Sequence, residues 1–119
     1  MAFRKLLHRL TAPDAELDRE RLRQFCKGLP GVTAIGDAEP RKELTVAGEI
    51  SSLRIVPRAG TPSLEATVSD GTGSLVIVWT GRRHIAGVAP GRRLVVSGRA
   101  TQQGAGSRLT LLNPRYELL

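Results

Sequence analysis

Residues 63–79 read SLEATVSDGTGSLVIVW: two runs of alternating character joined by Asp70-Gly71-Thr72-Gly73. Period-two alternation rich in Val, Ile, Leu and Thr is the mark of strands. A short turn whose glycines can take positive φ folds two such strands into an antiparallel hairpin. Parity then sends Leu64, Ala66, Val68, Leu75 and Ile77 to one face, and Glu65, Thr67, Val76 and Val78 to the other. The first face is apolar throughout; the second is neither basic nor aromatic.

The same period extends outward. ELTVAGEISSLRIV (43–56) precedes the hairpin, and RLVVSGRATQ (93–102) and SRLTLLNPRYEL (107–118) follow it, which makes five strands at 43–56, 63–69, 74–79, 93–102 and 107–118. Parity adds Val46, Ile50, Leu94, Val96, Leu109 and Leu111 to the core, with Gly48 and Gly98 as bends or bulges that let short strands curl. Between the third and fourth strands, TGRRHIAGVAPG leaves room for about one helical turn. Five strands with one interrupted connection predict a small closed barrel, a mainly β fold.

Upstream of Glu39-Pro40 the period is helical. Phe3, Leu6, Leu7 and Leu10 follow i, i+3, i+4, i+7, and Leu22, Phe25, Cys26 and Leu29 repeat the pattern. Two helices are expected, the second starting at Thr11, Pro13 and Asp14 and stopped by Gly28, Pro30 and Gly31. VTAIGDAEPRK (32–42) reads as a linker or a lead-in to the first strand. The expected organisation is a helical extension and linker over 1–40 and a barrel over 41–119.

A chain of 119 residues is sized for one compact domain. Its 18 Lys+Arg against 11 Asp+Glu give +7, and all but Lys5, Lys27 and Lys42 are arginine, so an acidic partner is expected. Cys26 is the one cysteine, so no internal disulfide forms; with His8 and His84 it makes no metal-ligand spacing, and no metal or cofactor is expected. Cys26 reads as a small buried hydrophobe. Ser69, Asp70 and His84 lack the elbow and oxyanion framework of a nucleophilic site, and Asp70-Gly71-Thr72-Gly73 is not a phosphate loop, so no enzyme activity is expected. No apolar run approaches the roughly 18 residues of a membrane span, and a cytoplasmic protein is expected. MAFRKLLHRLTAP contains no acid, which leaves a membrane-surface or targeting helix as a minor alternative.

The central glycine of the first strand (Val46, Gly48, Ile50), the run Val68 to Leu75 with its D-G-T-G, the P-G-x-x-φ-x-φ-x-G of Pro90 to Gly98, and the N-P-x-Y-E of Asn113 to Glu117 occur in order. Over about residues 43–118 this pattern resembles OB-fold nucleic-acid-binding domains, most of all the wedge OB domain of the RecG branch-migration helicase and small OB-fold proteins of actinobacteria. No helicase motor follows, so that activity is not implied. The resemblance implies a five-stranded OB-fold Greek-key barrel, here with an N-terminal α-helical extension. It also implies a strand-gripping role for Arg54 and Arg58 at the first loop, and for Arg99 and Arg108 beside the loop between the fourth and fifth strands.

Charge and geometry add Arg82-Arg83 and Arg92-Arg93, which flank the link between the third and fourth strands and suit phosphate oxygens. Trp79 shares the parity of Leu75 and Ile77 and so points inward, yet as the end of the third strand it could stack a base, worth about 1 to 3 kcal/mol. Tyr116 is similarly open. The expected function is non-catalytic, largely sequence-independent binding of single-stranded or branched DNA, or RNA, through arginine-phosphate contacts. The alternative is a protein-interaction adaptor or oligomerisation module that docks a nucleic-acid-processing enzyme through Val76, Val78, Val95 and the N-terminal helices.

Overall fold

A computed structural model describes residues 2–102 and 108–119, with side chains from residue 14 onward. One helix, α1 (Ala2–Lys27), leads through a 3₁₀ turn at Ile35–Asp37 into β1 (Glu43–Arg58), β2 (Thr61–Ser69), β3 (Ser74–Thr80), β4 (Arg93–Gln102), β5 (Leu109–Leu112) and β6 (Arg115–Leu118). The strands run β1-β2-β3-β5-β4 and close by pairing β1 with β4; all neighbours are antiparallel except β3 and β5. This is the expected closed five-stranded Greek-key barrel.

Three expectations need correction. The two helices are one, because Pro13 removes a single backbone donor while the Ala, Leu, Glu and Arg around it favour helix. The fifth strand is two: Asn113 takes the left-handed φ of 47°, breaking the run so that β5 fills the gap between β3 and β4 while β6 continues along β4. Asn113 holds that break by accepting from the Thr80 N–H at 2.9 Å and donating its own N–H to the Val78 carbonyl at 2.7 Å. The link between β3 and β4 has turns and no helix; buried Ile85 and Val88 fill that end of the barrel instead.

Every core residue read from parity is buried except Leu109, which packs partly buried against the core, and Trp79 joins them. Gly48 carries the closest strand approach: a Cβ there would lie 2.5 Å from Val68 Cγ1 and 2.8 Å from the Ser69 carbonyl. Only glycine lets β1 bend from β4 across to β2 at this point.

The N-terminal segment is seated on the barrel. Leu22 and Cys26 of α1 pack on Ala47, joined by Leu29, Val32 and Val95. The Arg93 guanidinium lies 4.5 Å from the Phe25 ring centroid and 3.6 Å from Glu49, tying helix to strands. The stretch read as a linker is also engaged: Ile35 is part of the barrel core, its N–H donates to Asp70 Oδ2 at 2.8 Å, and the Thr33 N–H donates to the Thr45 carbonyl at 2.8 Å.

Candidate nucleic-acid interface

The outer face of β1, β2, β3 and β5 forms a four-strand wall whose side chains stand in rows. Ser52, Thr67, Val76 and Thr110 share one row; Arg54, Glu65, Val78 and Leu112 share the next. Arginine reaches this wall because of a bulge. Up to Ile50 the even residues of β1 face inward, and the register shifts between Ile50 and Ser52, so the extra residue Ser51 turns Ser52, Arg54 and Arg58 outward. Ala59 (φ 50°) and Gly60 (φ 78°) then close the hairpin to β2, setting Arg54 opposite Glu65.

Arg108, just before β5, completes a groove of about 540 Å³ lined by Ser52, Arg54, Arg58, Glu65, Thr67, Val76, Arg108 and Thr110. At its floor the Glu65 side chain is only 10% exposed. Arg54 Nε and Nη2 each donate to Glu65 Oε1 at 3.2 Å, and Arg58 Nη2 stands 3.7 Å from Oε2. Arg54 is otherwise 76% exposed, leaving the rest of its planar donor set toward solvent. Among the described residues no ring lines this groove.

The remaining expected contacts lie elsewhere. Arg82 and Arg83 are exposed in the loop after β3. Arg92 Nε donates to the Leu119 carbonyl at 3.1 Å, and Arg93 is occupied by Phe25 and Glu49, so this pair ties segments of the same chain together. Arg99 is exposed on β4, in register with Glu43. Trp79 is 5% exposed in the barrel core, edge-on to Tyr116 with centroids 5.5 Å apart; the inward parity prevails and its faces offer no platform for a base. The valines expected to form a docking face are dispersed: Val78 is fully buried, Val95 packs under α1, and Val76 lines the groove. Glu65 and the hydroxyls of Ser52, Thr67 and Thr110 were not singled out as site residues from sequence. The signal was the Arg-Glu register across the β1–β2 hairpin, legible only once Ser51 is known to bulge.

A second cavity of about 290 Å³ lies between α1 and the barrel, lined in part by Arg23, Cys26, Lys27, Asp70 and Thr72. Burial, with Asp70 nearby, pushes the Cys26 thiol up, so it stays a neutral hydrophobe at neutral pH. Among the described residues no cluster of His, Cys, Asp or Glu could hold a metal, and no helix is long and apolar enough to cross a membrane.

No family model and no curated protein sequence matches the chain. Solved structures do. RecG bound to a three-way DNA junction superposes with a TM-score of 0.60 at 18% identity over 74% of this chain, which spans only 12% of that one. The replication factor A related protein from Methanobacterium thermoautotrophicum gives 0.56 at 18% identity, covering 74% of this chain and 90% of that one. An OBody bound to hen egg-white lysozyme gives 0.59 at 14% identity, covering 77% and 97%. The shared architecture is the OB fold.

Proposed function

We propose that this chain is a non-catalytic binder of single-stranded or branched nucleic acid, holding the strand in the groove across β1, β2, β3 and β5 with Arg54, Arg58 and Arg108 on the phosphates. One observation carries the reading: a bulge in β1 turns Arg54 and Arg58 to the same outer face of an OB barrel as Arg108, which is distant from them in sequence. The likeness to RecG, whose structure holds a DNA junction, supports it. Arg82, Arg83 and Arg99, exposed outside the groove, act as additional phosphate contacts.

The test is fluorescence anisotropy with labelled single strands of several sequences over a range of salt. Affinity should fall by about 0.7 log units per log unit of salt for each phosphate neutralised. Replacing Arg54, Arg58 and Arg108 with alanine should weaken all sequences alike and flatten that slope by about two. Unchanged affinity and slope in the triple variant would remove the groove from the reading. The OBody bound to lysozyme shows that an OB barrel can serve a protein partner instead. Absence of any salt-dependent nucleic-acid binding would favour that second reading, with exposed Leu17 on α1 as part of the surface.

A further inference from the structure

A groove meant only for phosphate is poorly served by a carboxylate at its floor, yet Glu65 lies there among Arg54, Thr67, Val76 and Thr110. An anion brought down to that floor meets another anion, so phosphate belongs at the rim, on the exposed side of Arg54 and on Arg108. What can reach the floor is a base edge. Among the described residues the floor has no ring to stack on, and the group it presents at its centre accepts hydrogen bonds and cannot donate them while ionised. Arg54 takes up Oε1, and its two bonds fix the carboxylate in place, leaving acceptor positions on Oε2, where Arg58 stands at the longer 3.7 Å.

A base therefore gains at this position in proportion to the donors it can offer. Cytosine brings an exocyclic amino group at N4, the donor that Asp and Glu accept from in base readout. Thymine puts a carbonyl oxygen at the matching place, and oxygen facing carboxylate is repulsive. Resting on the groove proposed above, we infer that Glu65 is a specificity-determining residue that favours strands carrying amino-bearing bases, such as cytosine, over strands of thymine alone.

Oligo-dC and oligo-dT of equal length, titrated at pH 8 where cytosine is uncharged, provide the comparison, with salt slopes recorded for both. The wild-type chain should bind oligo-dC about five- to tenfold more tightly, toward the lower end of one well-made base contact. Glu65→Gln, nearly the same shape, should bring the two affinities together and raise that for oligo-dT, because one negative charge leaves the groove. Glu65→Asp keeps the charge but withdraws it, and should reduce the ratio without raising oligo-dT binding. Equal wild-type affinities with a normal salt slope, or a ratio that survives Glu65→Gln, would overturn the role of Glu65 and leave the groove standing. Failure of both strands to bind would overturn the groove and Glu65 together.

Discussion

Asp70 concentrates more of the fold in one side chain than its place in a turn suggests. Its Oδ1 accepts from the Thr72 N–H at 2.9 Å, the Thr72 hydroxyl at 2.6 Å and the Gly73 N–H at 3.2 Å, while Oδ2 takes the Ile35 N–H, and the residue is only 3% exposed. Asp70→Ala should therefore orphan the buried Ile35 N–H, while water can reach the part-buried Thr72 and Gly73 donors, and lower stability by about 2 to 3 kcal/mol in urea denaturation, since one buried orphaned group costs about 1 to 3. Asp70→Asn, still an acceptor at one atom, should fall between. The turn role was legible from D-G-T-G; the bond to Ile35 was not, because it depends on where the preceding segment packs. Trp79 was half legible in the same sense. Alternation named the inward side, and the structure buries it there against Tyr116. Trp79→Ala should cost about 3 to 5 kcal/mol of stability, and the emission of this single tryptophan should not be quenched by added oligonucleotide.

At the scale of elements, α1 and the β2–β3 turn fit against each other at Gly71. Its φ is 87°, and a Cβ there would stand 2.7 Å from the Arg19 carbonyl and 3.0 Å from Arg23 Cβ. Gly71→Ala combines left-handed strain of about 1 to 2 kcal/mol with a clash that the helix relieves by moving away. Cys26, buried beneath the helix with its thiol pushed up, reports that movement. Alkylation at pH 8 should be slow in the wild-type chain and faster in Gly71→Ala, and Arg93→Ala, which loosens Phe25 and Glu49, should share the effect. An alkylation rate unchanged in both variants would show that the helix is held from elsewhere. Strand period was easy to read because half of each strand faces a core; the bulge at Ser51 was not, because one extra residue leaves the composition of the run untouched. The fifth strand was divided for a related reason: Leu109–Leu112 and Arg115–Leu118 look continuous until the left-handed Asn113 separates their partners.

Across the whole molecule, the boundary read at Pro40 from the change of period passes through a packed region, since Ile35 belongs to the barrel core. A shortened chain beginning at Gly31 should keep a cooperative thermal transition, whereas one beginning at Arg41 should lose about 2 to 5 kcal/mol, the usual cost of emptying a buried isoleucine site. Equal stability of the two would return the boundary to Pro40. Barrel architecture was legible because closure is written in the number and parity of the strands, while the seating of 29–38 rests on contacts between segments with no common period. Closure has a further consequence, for the growing polypeptide. β3 gains its second neighbour only when Thr110, Leu111 and Leu112 come alongside Val76, Ile77 and Val78. Until then the apolar run Leu75 to Val78 has a bare edge, a template for pairing with the same run in another nascent chain. Chains stopped short of Leu109 should consequently collect as aggregates instead of persisting as a smaller soluble sheet, and sedimentation of such truncations from a cell-free translation would show it.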